Sequence, residues 1–381
     1  MQNKACAVIC EYNPFHNGHK YQLEYIKKNF GLPCVGIMSG DFVQRGEIAF
    51  ADKYSRAEKA AEHGADVILE LPFPFCCMTA EKFAEKGVEI AEKSGMCSHL
   101  AFGSESGDLE SIKKTAELLL DGKFIRELEK SRKENPNISF ASLRSEKIAE
   151  KLGEKYAVIL ENPNDILAVE YVKAIIKTNS KLVPIAVERT AAHGADTAAC
   201  GIFASSSYIR RSFYEKTDGV NKYIPYKITD FGIENIVSAK RRERFWKNVH
   251  LALMRETPER LKDICELSGG LEYALVNAAK SRKTIDETME KLKSKTLTNA
   301  KIRRMMLFAF FGVTEEKARE NVRYTSVLAM SENGLASELM RIARKEKQII
   351  LAQRVSAVKK DKKAYEQYQF CENAGKLLKL C

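Results

Sequence analysis

The stretch Ala5-Cys6-Ala7-Val8-Ile9-Cys10-Glu11-Tyr12-Asn13-Pro14-Phe15-His16-Asn17-Gly18-His19-Lys20 decides how this chain is read. Its first six residues form a short continuous apolar run, the pattern of a strand buried on both faces. From Gly18 to about Phe30 the period changes, and Tyr21, Leu23, Tyr25 and Ile26 fall on a helix. A strand, a turn and a helix in that order form the opening unit of an α/β sheet.

Outward from this unit the same theme repeats. Strand-like runs at residues 34–38, 67–71 and 99–102 alternate with helical stretches near 54–62 and 79–93, which predicts a parallel sheet covered by helices. A helical insertion occupies about 109–153. The alternation then resumes with a helix beginning near Asn164, a strand at 183–187 and a helix entered through Ser205-Ser206-Ser207. The first domain is expected to end near residue 215. Beyond the turn residues Asp218-Gly219 and Pro225, the spacing predicts mainly helices with short connections to residue 381. A length of 381 residues favours such a two-domain division, 1–215 and 216–381.

Composition narrows the class. Hydrophobic residues at 45% and charged residues at 30% suit a fully folded globular protein. No apolar run approaches the ~20 residues a membrane span needs, and the first residues lack a signal-peptide pattern. A cytoplasmic location without membrane contact is therefore expected, and no obligate protein partner is evident. The ten cysteines contain no Cys-x-x-Cys, Cys76 and Cys77 are adjacent, and the six histidines add no ligand cluster. The thiols read as buried small apolar residues or free thiols, and no protein metal site is expected.

Charge is divided unevenly. Residues 216–381 carry 34 Lys and Arg against 21 Asp and Glu, whereas residues 1–215 carry 28 against 30. The second portion therefore holds the whole of the +11 excess, which motivates a polyanion partner for it.

The chemistry is expected at His16-Asn17-Gly18-His19. In an α/β sheet the ligand crevice opens at the carboxyl ends of strands, and a helix N-terminus there offers unpaired N–H groups and the positive end of its dipole to a phosphate. Two imidazoles three residues apart can aim donors at phosphate oxygens and stabilise charge that builds during attack on phosphorus. A second element, Ser205-Ser206-Ser207 followed by Arg210, places cap hydroxyls and a guanidinium that could neutralise departing pyrophosphate.

With these residues in place, the chain resembles the HIGH-type nucleotidyltransferases, and more closely the bacterial tRNA-Met cytidine acetate ligases. The likeness rests on residues 11–19 and on four further blocks, 38–47, 64–72, 102–105 and 163–167. It implies a Rossmann-like nucleotidyltransferase domain followed by a mainly helical basic domain. It implies a reaction in which acetate attacks the α-phosphate of ATP, and the acetyl group of the resulting acetyl-adenylate passes to a wobble cytidine of elongator tRNA-Met. By the same resemblance, residues 7–20 form the ATP loop, Gly103, Asn164 and Arg189 are further nucleotide contacts, and the segment 293–304, with Lys295, Lys301, Arg303 and Arg304, meets tRNA. Ile48, Asp165, Leu297 and Asn299 depart from the family pattern.

Acetate is itself a nucleophile and needs only positioning, so no catalytic triad is expected. Gln44 and Arg45, on a glycine-bounded loop after a buried strand, are candidates to orient acetate or the reacting base. Mg²⁺ accompanying ATP is expected from nucleotide chemistry. Basic and aromatic residues at Lys240-Arg241-Arg242, Arg244 and Phe245-Trp246, and the run Lys359-Lys360-Asp361-Lys362-Lys363, are read either as RNA-facing or as ordinary helix surface and core. Two other functions remain open at this point. One is an adenylyltransferase for a small phosphorylated cofactor precursor, and the other is an RNA-binding protein without catalysis.

Overall fold

The structure, a computed structural model, describes residues 4–135, 137–189, 199–294 and 297–381. Its first strand, β1 (Ala5–Cys10), sends Ala5, Ala7 and Ile9 into one hydrophobic core and Cys6, Val8 and Cys10 into a second. Alternate side chains of a strand point to opposite faces, so an unbroken apolar run is what a strand covered on both sides requires. Parallel partners flank it: β2 (Cys34–Ser39), with Val8 opposite Gly36, and β4 (Cys97–Ser104), with Ala7 opposite Leu100. β3 (Val67–Leu71) joins β2, and β5 (Val183–Glu188) joins β4, both in parallel.

Helices α1 (Asn17–Phe30), α2 (Lys53–Glu62) and α3 (Ala80–Lys93) follow the first three strands. Asp52 and Thr79 cap α2 and α3 by accepting backbone N–H groups, and Gly31 ends α1 at φ 65°, a left-handed conformation that suits glycine. The insertion folds as α4 (Leu109–Leu120), α5 (Gly122–Glu134), α6 (Phe140–Leu152) and the single turn α7 (Glu154–Ala157). Next come α8 (Pro163–Lys177), the short pair β6 (Ala199–Cys200) and β7 (Phe203–Ala204), and α9 (Ser206–Tyr214). Strand order places β1 between β2 and β4, so the chain reverses direction across the sheet at β1. Such a reversal splays the two flanking connections and leaves a crevice at the strand ends.

The basic portion contains α10 (Ala239–Met254), α11 (Pro258–Leu261), α12 (Leu271–Ser281), α13 (Ile285–Leu292), α14 (Asn299–Phe311) and α15 (Glu315–Arg319), then α16 (Gly334–Glu346) and α17 (Lys362–Leu380). It is mainly helical, yet two strands interrupt it. β8 (Tyr324–Met330) pairs antiparallel with β3, with Ile68 opposite Ala329, and β9 (Ile350–Ala352) extends the sheet to the order β5-β4-β1-β2-β3-β8-β9. Residues well past 215 therefore belong to the same sheet, where they cover what would otherwise be an open edge at β3. α17 adds a further tie. Its Glu372 accepts from Lys53 Nζ at 2.7 Å, and the same ammonium reaches the fully buried Glu70 at 2.8 Å.

Of the ten cysteines, eight are buried, Cys200 is exposed and Cys381 is partly so, all as free thiols. Among the described residues no helix is long and apolar enough to cross a membrane.

Candidate active site

The loop after β1 locks both histidines by their own backbone. His16 is the N-cap of α1, and its Nδ1 accepts from Gly18 N–H at 3.1 Å. His19, three residues on, accepts the N–H of His16 on its Nδ1 at 3.2 Å, closing a reciprocal capping box. An imidazole nitrogen that accepts carries no proton, so each neutral ring is fixed as the Nε2–H tautomer. The rings stack with centroids 3.6 Å apart and 18° between planes. Burial, with Arg189 adding repulsion, lowers the His16 pKa to about 3. Burial, His16 and Arg189 hold His19 well below the ordinary histidine range as well. At neutral pH the site therefore presents two uncharged N–H donors. A Cβ at Gly18 would lie 3.0 Å from Cε1 of His16, so any larger residue there would press on the capping ring.

Across the crevice, the end of β4 and the start of α8 build one network. Glu105 accepts from Asn164 Nδ2 at 2.5 Å and from the backbone N–H groups of Asn164 and Asp165 at 3.3 and 3.0 Å, satisfying the first turn of α8. Asp165, fully buried, accepts in turn from the N–H groups of Glu105 and Ser106 and from the Ser104 hydroxyl. Its carboxylate supplies more acceptor capacity than the amide the family pattern often places there. Arg189 donates from Nη1 to Asn164 Oδ1 at 3.2 Å, and its side chain runs alongside Gly103. Of the three residues assigned to nucleotide by resemblance, Gly103 and Asn164 both meet Arg189, and Arg189 faces the histidine pair.

Several contacts hold the loop in place. Arg56, fully buried on α2, donates to the carbonyls of Glu11, Ser39, Gly40 and Ala51, tying the ends of β1 and β2 together. Asn13 Oδ1 accepts Phe50 N–H at 2.6 Å, Tyr226 donates to Phe15 O at 2.7 Å, and Asn17 Nδ2 donates to the carbonyls of Ile202 and Lys222. Ser205 is the N-cap of α9 through Tyr208 N–H at 3.1 Å, with Ser206 the first residue of that helix. From the same helix Arg210 donates to Asn13 O at 2.7 Å. The serine and arginine element predicted as a second phosphate contact is thereby brought onto the first motif.

On the β2 side, Gln44 donates its backbone N–H to Glu11 Oε1 at 3.0 Å and its Nε2 to Met78 O at 2.7 Å, while Arg45 is exposed. Glu47 joins two arginines: Arg210 Nη2 at 3.5 Å and Arg303 Nη1 at 2.9 Å. Gly46, at φ 73°, permits this approach, since a Cβ there would lie 2.8 Å from Cβ of Arg303. The basic portion therefore borders the crevice directly.

The residues assigned to tRNA are not equivalent. Arg303 is partly exposed beside the crevice, and Lys301 lies on the first turn of α14. Arg304 points inward and pairs with Glu266 at 2.7 and 2.8 Å. With 8% of its side chain exposed it is a core ion pair and not a phosphate contact, because its fork is already filled by a carboxylate. Lys295 lies outside the described residues. On α10, Phe245 is buried and Trp246 packs on the core, Arg242 stands over the Tyr214 ring, and Arg244 donates to Cys381 O, whereas Lys359, Lys360, Lys362 and Lys363 are exposed. Sequence reading missed Arg56 and the capping role of Glu105. No local pattern marks Arg56, whose partners come from separate segments; a carboxylate at the end of a strand facing a Pro-started helix is a signal that could have found Glu105. Among the described residues no three His, Cys, Asp or Glu converge as a metal site.

The chain matches the family described as HIGH Nucleotidyl Transferase over residues 3–381. It is 32% identical over 368 residues to the tRNA(Met) cytidine acetate ligase of Thermoanaerobacter sp. (strain X514), spanning 92% of this chain and 89% of that protein. It is 30% identical over 383 residues to the tRNA(Met) cytidine acetate ligase of Ligilactobacillus salivarius (strain UCC118), spanning 98% and 95%. In three dimensions it is similar to the crystal structure of apo Thermotoga maritima TmcAL, with a TM-score of 0.87, 29% identity and coverage of 97% of this chain and 93% of that one. The same protein bound with alpha-thio ATP gives a TM-score of 0.86 at 28% identity and the same coverage.

Proposed function

Because the chain belongs to the HIGH nucleotidyl transferase family, and within it to the tRNA(Met) cytidine acetate ligases, we propose the following course for its reaction. ATP lies across the crevice between β1 and β4, its phosphates over His16 and His19 and its remainder toward Gly103, Asn164 and Arg189. An acetate oxygen attacks the α-phosphorus, the bond to the β-phosphate breaks, and pyrophosphate leaves past Arg210 and the Ser205-Ser206 turn. The N4 amine of the wobble cytidine of elongator tRNA-Met then attacks the acetyl carbonyl of acetyl-adenylate, giving N4-acetylcytidine and AMP.

The observation that carries this reading is the pair of stacked, neutral imidazoles with Nδ1 occupied by backbone donors. Fixed in place and unable to accept a proton on Nδ1, they can only donate from Nε2, which is what the growing negative charge at phosphorus needs. Neutral donors also leave the metal its usual part, and Mg²⁺ would arrive bound to the phosphates of ATP. Gln44 and Arg45 orient acetate or the incoming base from the β2 side. Arg303 and Lys301, with the exposed lysines of the basic portion, hold the tRNA backbone without reading its sequence. The enzyme acts in the cytoplasm, where its tRNA is found, without a further protein.

Mass spectrometry of elongator tRNA-Met after incubation with ATP and acetate tests the proposal, with one acetylated cytidine as the expected product. Exchange of labelled pyrophosphate into ATP that is unchanged when acetate is omitted would show that acetate is not the nucleophile.

A further inference from the structure

Acetyl transfer raises a requirement that acetate activation does not. The lone pair of an exocyclic cytidine amine is delocalised into the ring, so the amine attacks well only as its proton is removed, and a positioned base typically contributes roughly 10²–10⁴-fold to such a step. The histidines cannot serve, because Nδ1 of each already accepts a backbone N–H and Nε2 already carries the proton.

The carboxylates along the rim of the sheet differ in how fully they are engaged. Glu105 and Asp165 hold the α8 turn, Glu70 is paired with Lys53, and Glu47 is held by two arginines. Glu11 stands apart. It is the first residue after β1, its backbone carbonyl is fixed by Arg56, and its Oε1 accepts one backbone N–H, that of Gln44. Its Oε2 has no hydrogen-bond donor among the described residues, and it is not among the fully enclosed, unpartnered atoms. It thus stands at the carboxyl end of β1, between the phosphate loop and the Gln44-Arg45 turn.

Resting on the acetyl-transfer reading above, we propose that Glu11 is the general base of the second step. As the cytidine N4 forms its bond to the acetyl carbonyl carbon, Glu11 Oε2 takes the N4 proton. The bond from that carbon to the AMP oxygen breaks, and AMP leaves with the electron pair. The surroundings of Glu11 favour proton uptake. Burial raises its pKa above the ordinary carboxylate range, while the Gln44 N–H and the charges of Arg210 and Arg45 act to lower it and Glu47 acts to raise it. Arg56, Tyr171, Cys10 and Cys77 also face it. The result is a base stronger than a free carboxylate.

The test uses the full-length enzyme, saturating unmodified elongator tRNA-Met and chemically prepared acetyl-adenylate in single turnover, which bypasses ATP and acetate. Glu11→Gln is expected to slow acetyl transfer by about 100-fold or more, with Glu11→Asp regaining part of the rate. The wild-type rate is expected to rise with pH through one ionisation above the ordinary carboxylate range, to shift in Glu11→Asp and to vanish in Glu11→Gln. Transfer by Glu11→Gln within threefold of wild type would overturn the assignment, as would a wild-type rate that shows no such ionisation. Should Glu11→Gln fail to fold, a Glu11→Asp profile identical to wild type overturns it equally. Wild-type enzyme that fails to transfer acetyl from acetyl-adenylate refutes the reaction itself and not the residue.

Discussion

Replacing His16 separates the cap that the structure shows from the donor role proposed for the same side chain. His16→Ala removes the N-cap of α1, leaving Gly18 N–H without its partner 3.1 Å away. Loss of such a cap costs about 1 kcal/mol of stability. On the proposed reaction it also removes the Nε2–H donor to the phosphate, and deleting one preorganised donor costs about 2.7–4 kcal/mol in the barrier, roughly 10²–10³ in rate. His16→Asn provides the discriminating control, because asparagine caps helices as well as any residue but is too short to present a donor where Nε2 stands. Stability is read from urea unfolding and activity from acetate-dependent pyrophosphate exchange at saturating ATP. The expected pattern is a loss of both in His16→Ala, and recovery of stability alone in His16→Asn, with tRNA affinity little changed in either. Exchange restored to within tenfold of wild type in His16→Asn would show that the cap, and not the donor, is what the reaction needs. Unchanged urea unfolding in His16→Ala would refute the cap.

Other residues divide in similar ways. Arg304→Ala should destabilise the fold by about 3–5 kcal/mol, since it strands Glu266 in a mostly buried site, whereas Arg303→Ala should leave stability within about 1 kcal/mol and weaken tRNA binding most at low salt; filter binding across a salt series with parallel unfolding curves distinguishes them. Gly46→Ala, at φ 73° and facing the Arg303 backbone, should lower stability by more than about 1 kcal/mol, and an unaltered midpoint would mean the loop does not dock on α14 as described. His16 has its pKa lowered from 6.5 to about 3 in the folded protein, so the unfolded chain takes up a proton over that interval that the folded chain does not. Stability attributable to it should therefore fall as pH drops from 6.5 toward 3, by up to about 1.4 kcal/mol per pH unit, and the slope should be shallower in His16→Asn. Arg189→Ala should raise the titration midpoints of both histidines, because it removes a repelling charge; histidine NMR titration reads this directly.

The sheet was legible because its signals are local. An apolar run such as residues 5–10 announces burial on two faces, and the capping residues Asp52, Thr79 and Ser205 mark helix starts within a residue or two of where they occur. β8 was not read. Tyr324-Thr325-Ser326-Val327-Leu328-Ala329-Met330 has strand-forming residues, but it stands alone among helices, and its pairing partner β3 lies far earlier in the chain, at residues 67–71. Pairing at that separation leaves no periodic trace in the segment itself. Arg303 and Arg304 make the same point on a smaller scale: adjacent in sequence and identical in chemistry, they end in a crevice-side pair and a core pair, because a helix turns neighbours by about 100°.

Neighbours along the chain were enough to specify the strand-turn-helix unit, the two histidines at the head of α1 and the charge division between the two portions. Folding alone gathers Gly103 and Asn164 around Arg189 and turns Arg189 toward those histidines, joins Arg210 to Arg303 through Glu47, and lets the basic portion complete the sheet of the first. The difference lies in where the hydrogen-bond donors come from, since both the tautomer of His16 and the acceptor role of Glu11 depend on which donors stand beside them. For His16 that donor is a residue two positions away, which the sequence contains; for Glu11 it is the N–H of Gln44, brought to it by the pairing of β1 with β2.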